Sequence, residues 1–120
     1  MSPEEARIFL AEDDPGWAEL NRLGVTIAGH HVVIEVRDVN EGLNLVQEAQ
    51  QLGVNVALLD GRIPFGPDDG TKLAAALREA IPSMQVVDIS ISGDAVKGAN
   101  AQMPKDRFDI GELGELVTDL

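Results

Sequence analysis

Four apolar runs in this chain end on a residue that can carry charge or donate a hydrogen bond. "RIFLA" (Arg7 to Ala11) runs into Glu12 and Asp13, "VNVALL" (Val54 to Leu59) into Asp60, and "MQVVDISIS" (Met84 onward) ends on Ser92; a short stretch before Lys105 is the fourth. Carboxylates crowded together repel one another unless a cation joins them. Oxygen ligands in an acidic cleft suit a hard ion, and Mg2+ binds through few carboxylates together with waters and phosphate oxygens. A lysine and a hydroxyl opposite such a cation complete a site for a phosphoryl group: the two cations neutralise its charge and the hydroxyl donates a hydrogen bond. An aspartate such as Asp60 can be the nucleophile, giving an acyl phosphate.

For these tips to meet, the runs must be strands whose carboxyl ends share one edge. The sequence alternates strand and helix signals. "RIFLA", "HVVIEV" (His31 to Val36), "VNVALLD" (Val54 to Asp60) and "MQVVDISIS" read as strands, with a fifth before Lys105. A helix is predicted from Pro15 to about Ala28, with Asp14 as its cap and Pro15 in its first turn. "DVNE" (Asp38 to Glu41) resembles a capping box opening a helix that turns Leu43, Val46, Ala49 and Leu52 to the core and stops at Gly53. A helix near Thr71 to Ile81 carries Leu73, Leu77, Ala80 and Ile81, and Pro82 ends it. After "DIGE" (Asp109 to Glu112) a last helix faces Ile110, Leu113, Leu116, Val117 and Leu120 inward, weakened by Gly111 and Gly114. Such alternation implies an α/β domain with a parallel sheet and helices on its faces, and sites in these sheets form beyond the carboxyl ends of the strands. "GPDDG" (Gly66 to Gly70) reads as a turn and helix start, His30 and His31 as a turn before a strand, and Trp17 as packing or a surface contact.

Composition bounds the function. The 120 residues suggest one domain, residues 1–120, and 44% hydrophobic residues suffice for a core without staples. There are no cysteines, which excludes a disulfide frame or a thiolate metal site. No segment reads as a signal peptide or a membrane span, so a cytoplasmic location is expected. With 21 acidic against 9 basic residues the net charge is −12, which argues against nucleic acid as a partner and is compatible with a metal ion.

Taken in order, "LAEDDP", "ALLDGRIP", "ISISGDA" and "MPKDRFDIGEL" resemble the receiver domain of two-component response regulators over nearly the whole chain. The resemblance implies a single-domain, doubly wound, flavodoxin-like sheet of five parallel strands. It implies a phosphorelay protein, not an enzyme, taking a phosphoryl group from a histidine kinase or a histidine phosphotransfer protein and signalling to a downstream protein partner. It makes Asp60 the phosphoacceptor and Glu12 and Asp13 the acidic pair, with Asp13 the more direct Mg2+ ligand. Arg62 offers its backbone carbonyl to the metal, Lys105 takes the lysine position, and Ser92 takes the hydroxyl position, with Ser90 as the alternative.

The departures from that pattern are local. Only Gly93 to Pro104 separates Ser92 from Lys105, too little for a full helix, two turns and a strand, so the family's fourth helix is expected to be reduced or absent. Strand four alternates Asp88, Ser90 and Ser92 with Ile89 and Ile91, where a strand covered on both faces should be continuously apolar. One face is therefore expected to be wet, or covered by a homodimer or another partner. Gln102 stands where the family often has an aromatic residue, and Pro104 precedes the lysine instead of following it. These differences support an alternative, a pseudo-receiver that signals by contact alone. A Mg2+-dependent phosphohydrolase is the third reading, and it lacks a general acid near Asp60.

Overall fold

The computed structural model describes residues 5–63, 65–91 and 95–120. Its strands are β1 (Arg7–Ala11), β2 (His31–Val36), β3 (Val56–Leu59), β4 (Gln85–Asp88) and β5 (Ala101–Gln102), all parallel, in the order β2-β1-β3-β4-β5. Its helices are α1 (Pro15–Ile27), α2 (Val39–Asn44), α3 (Val46–Gln51), α4 (Asp69–Ala80) and α5 (Ile110–Thr118), with a 3-10 turn at Lys105–Arg107. This is the expected flavodoxin-like architecture, with no helix between β4 and β5 among the described residues.

Side chains alternate across each strand, so each strand feeds two cores. Phe9, Ala11, Ala57, Leu59 and Val86 pack with Ala49, Leu73 and Leu77 of the helices on one face. Ile8, Leu10, Val56, Leu58, Val87 and Ile89 pack with Ala18, Val25, Leu113 and Val117 of α1 and α5 on the other. Three helices are capped by an aspartate side chain. Asp14 accepts from Gly16 N (2.8 Å) and Trp17 N (3.1 Å), Asp38 from Glu41 N (2.8 Å) and Asp109 from Glu112 N (2.9 Å). Each cap stabilises its helix by about 1 kcal/mol.

Two expectations about the helices are corrected. The helix after Asp38 is two short helices that change direction at Leu45, whose N–H bonds to Gly42 O at 3.1 Å in a tightened turn. The buried stripe runs through Val39, Gly42, half-buried Val46 and Ala49, so Leu43 and Leu52, expected in the core, are exposed. In α5, Leu113 and Val117 are buried, whereas Leu120 is exposed. Gly114 there is a requirement of packing: a Cβ would lie 2.8 Å from the Ala28 Cβ and 2.9 Å from the Gly24 carbonyl oxygen.

The alternation in β4 also has a different cause from the one expected. Asp88 and Ser90 are buried, not wet, and so are Val87 and Ile89; of the apolar residues in this run only Ile91 is exposed. Asp88 holds the short connection to β5. Its Oδ1 accepts from Ser90 N (2.9 Å) and its Oδ2 from Val96 N (3.1 Å). Val96 is buried in the core beside α4, and Lys97 N bonds to Thr71 Oγ1 at 3.0 Å. Arg78 secures the far end of the connection, donating to Gly98 O (2.6 Å) and Asn100 Oδ1 (2.5 Å). Asp88, Val96 and α4 thus hold the described part of this connection against the sheet. The chain itself covers Val87 and Ile89, so the expected uncovered face narrows to Ile91 among the described residues of this run.

Replacing Asp88 with alanine leaves two buried N–H groups without acceptors, each costing about 1–3 kcal/mol. Asp88→Ala should therefore lower the unfolding free energy by roughly 2–4 kcal/mol in a urea titration. A loss below about 0.5 kcal/mol, typical of surface changes, would show that the carboxylate does not hold the connection.

Candidate functional site

Backbone hydrogen bonds carry the strand register past the strand ends. Glu12 N bonds to Val36 O (3.1 Å), Asp60 N to Ala11 O (3.0 Å), Ile89 N to Leu59 O (3.0 Å) and Lys105 N to Ser90 O (3.2 Å). These bonds align the residues just beyond four strands at one edge of the sheet. Gly70, in the first turn of α4, donates to Gly61 O at 2.9 Å. A Cβ on Gly70 would stand 2.3 Å from the Asp60 carbonyl oxygen and 2.9 Å from Val96 Cγ2, so only glycine lets α4 approach the acceptor loop this closely.

The edge holds a compact charge cluster. Lys105 Nζ lies 2.5 Å from Asp60 Oδ2 and 2.6 Å from Glu12 Oε1, and all three side chains are buried. Asp60 Oδ1 accepts from Arg62 N at 3.1 Å, and Glu12 Oε2 accepts from Asp14 N at 3.3 Å. Glu12 Oε1 meets the Lys105 ammonium at 2.6 Å and has no other donor among the described residues. Exposed Asp13 joins them: ligand oxygens of Glu12, Asp13 and Asp60 lie within 4.8 Å of one another. A cleft of about 240 Å³ opens on the cluster, lined by Asp13, Trp17, Asp60, Arg62, Ile91 and Lys105.

One ammonium faces three carboxylates. Burial pushes the Glu12 carboxyl up to about 8; the Lys105 hydrogen bond opposes this and the Asp60 charge adds to it. Burial alone would lower the Lys105 ammonium, but its bonds to Asp60 and Glu12 outweigh that and raise it. The donor set therefore fits a small hard cation, with carboxylate oxygens only, close together and outnumbering the one ammonium among them.

Of the sequence-predicted residues, the structure brings together Glu12, Asp13, Asp60 and Lys105. Arg62 donates its backbone N–H to Asp60 and lines the cleft. Ser92 lies outside the described residues. Among the described residues the hydroxyl next to the acceptor is that of Ser90, whose Oγ accepts from Gly61 N at 2.6 Å. The strand register sets it there: Leu59 pairs with Asp88, which brings Ser90 beside the residues that follow Leu59. Trp17, expected to be packing or a surface contact, borders the cleft with its ring and lies 5.7 Å from Lys105 Nζ.

No family model and no curated protein matches the chain. Solved structures do. The signal receiver domain of the response regulator NarL from Mycobacterium tuberculosis is 30% identical, with a TM-score of 0.79 over 98% of this chain and 96% of that one. The chain belongs to the response-regulator receiver domains. A CheY-like receiver domain protein from Methanospirillum hungatei has the same fold at 20% identity, with a TM-score of 0.77 over 97% of this chain and 93% of that one. The NtrX receiver domain from Brucella abortus does so at 23% identity, with a TM-score of 0.75 over 93% of this chain and 94% of that one. Receiver domains are signalling modules of two-component systems, and no helix among the described residues of this receiver is long and apolar enough to cross a membrane.

The raised Glu12 carboxyl fixes a pH dependence. In metal-free receiver the folded state holds the Glu12 proton between about 4.5 and 8, where the unfolded chain has lost it. Glu12 therefore lowers stability progressively as pH rises through that window. Glu12→Gln should remove this contribution, so its melting temperature should gain on the wild type from pH 5 to pH 8 in EDTA. Parallel melting curves across that range would contradict the shift.

Proposed function

We propose that this receiver accepts a phosphoryl group on Asp60 from the phosphohistidine of a histidine kinase or phosphotransfer protein, in a cytoplasmic phosphorelay that uses Mg2+. The observation that carries the reading is the placement of Asp60. It is a nearly buried carboxylate at a strand end, with a lysine on one oxygen and two further carboxylates beside it.

Glu12, Asp13 and Asp60 are the residues that would hold the cation, and Arg62 would add its backbone carbonyl. When bound, Mg2+ supplies positive charge to phosphoryl oxygens and relieves the repulsion among the carboxylates. The chain's own groups do the rest. An Asp60 carboxylate oxygen forms a bond to phosphorus as the P–N bond to the donor imidazole breaks; the imidazole nitrogen keeps the bonding pair, and the ring leaves neutral because its other nitrogen already carries a proton. Lys105 stabilises the charge on the phosphoryl oxygens, a hydrogen-bonding role from a fixed position. Ser90 is the hydroxyl that would donate to a phosphoryl oxygen through its own O–H, while its oxygen accepts from Gly61 N. The cleft admits a donor side chain from one side while the sheet closes the other.

One observation favours a second reading. The connection from β4 to β5 has no helix among its described residues, and in that region a pseudo-receiver would signal by contact alone. Phosphorylation separates the two. Incubated with acetyl phosphate and Mg2+, the wild type should gain the mass of one phosphoryl group, and Asp60→Asn should gain none. Equal labelling of the two, or an unlabelled wild type, would overturn the phosphoacceptor reading.

A further inference from the structure

Lys105 reaches the cluster on a flexible four-carbon stem, so its backbone does not by itself fix where the ammonium sits. It begins the 3-10 turn Lys105–Arg107, with Pro104 before it and Asp106 after it. Glu12 and Asp60 hold the ammonium from one side. The indole of Trp17 meets it from another, with Nζ 5.7 Å from the ring centroid, within the range of a cation–π contact.

Trp17 is itself anchored. Its N–H donates to the capping carboxylate of Asp14 at 3.1 Å, and its carbonyl accepts from Asn21 Nδ2 at 2.8 Å. The ring meets Phe108 edge-on, with centroids 5.5 Å apart and planes at 81°. Phe108 closes the turn that carries Lys105, its N–H directed at Lys105 O at 3.4 Å. Trp17 therefore touches both ends of the lysine: its charged head directly, and its backbone turn through Phe108. The same first turn of α1 follows the acidic pair, so one short segment, residues 12–17, supplies the carboxylates and the aromatic wall.

We propose that Trp17 is a positioning residue for phosphoryl transfer, its indole face holding the Lys105 ammonium at the Asp60 carboxylate and keeping water from it. An ammonium can turn over an aromatic face without losing the contact, because the attraction comes from the ring's quadrupole and not from one lone pair. A phosphoryl group arriving at Asp60 needs that freedom, since Nζ must then turn from a carboxylate to a phosphoryl oxygen. Excluding water on the ring side also strengthens the lysine's field at the reacting oxygen. The role in transfer rests on Asp60 being the phosphoacceptor; the role in holding Lys105 does not.

Two measurements on the full chain test this, with Trp17→Leu removing the π face and Trp17→Phe keeping one. The first needs no phosphodonor: trace acetylation with acetic anhydride, mapped by mass spectrometry. Lys105 should react more slowly than exposed Lys72 and Lys97 in the wild type. Trp17→Leu should raise the relative rate at Lys105 by about fivefold to tenfold, and Trp17→Phe should keep most of the protection. The second is the rate of Asp60 phosphorylation by phosphoramidate with Mg2+. It should fall about tenfold in Trp17→Leu, equivalent to ~1.4 kcal/mol, and by less than about threefold in Trp17→Phe. Wild-type values in Trp17→Leu overturn the proposal, as does Trp17→Phe failing as badly as Trp17→Leu, which would mean that bulk and not the aromatic face matters. An unlabelled wild type overturns the phosphoacceptor reading and with it the role in transfer, while the acetylation ratio still decides whether Trp17 holds Lys105. If Trp17→Leu does not fold, Phe108→Leu removes only the edge contact and should raise Lys105 acetylation; an unchanged ratio overturns the proposal.

Discussion

A single buried ammonium balances a crowd of carboxylates at the carboxyl edge of the sheet, and the rest of the structure is arranged around that imbalance. Lys105 sits between Glu12 and Asp60, with Asp13 close by on the solvent side. Charges taken from water in this way are tolerated only when well paired, and losing a partner is expensive. Here the pairing is incomplete: one ammonium serves both Glu12 and Asp60, and the Glu12 carboxyl holds its proton far above the ordinary range. A site of this kind is poised for additional positive charge, and a divalent cation is the ligand that its oxygens fit.

Rigid elements hold that poise. Strand register aligns the four tips through backbone hydrogen bonds, the two apolar cores lock the sheet from both sides, and Gly70 lets α4 close against the acceptor loop. The connection from β4 to β5 reaches the same place by other means. Asp88 bonds to the backbone of both Ser90 and Val96, and Ser90 in turn receives the N–H of Gly61, the residue after Asp60. A chain of three short contacts therefore links the acceptor to the connection from β4 to β5, which has no helix among its described residues. Any rearrangement of Ser90 at the acceptor bears directly on Asp88 and, through it, on Val96.

Which parts were legible in the sequence follows from the range of the interactions involved. Glu12, Asp13, Asp60 and Lys105 could be placed at one edge because parallel strands put every carboxyl end on the same side, whatever the details of packing. The caps at Asp14, Asp38 and Asp109 are local and were equally plain. Asp88 was misread because a polar residue alternating with isoleucine looks the same whether it meets water or a buried N–H, and its second partner, Val96, lies eight residues away across a loop. Ser90 was left open against Ser92 because strand length is the weakest part of a sequence reading, and β4 ends at Asp88. The turn at Leu45 moved Leu43 off the buried stripe, and Gly114, counted as a defect in its helix, is what allows α5 to lie against α1.

The central claim is that the carboxylate excess around Lys105 is a cation site and not merely part of an acidic surface. Titration of the isotope-labelled protein with Mg2+, followed by backbone amide chemical shifts, tests this most directly. The account predicts a saturable response from one ion, concentrated at residues 12–14, 60–62 and 105, and abolished by Asp13→Asn combined with Asp60→Asn. Small, unsaturating shifts spread over the exposed acidic residues of the whole chain would contradict it.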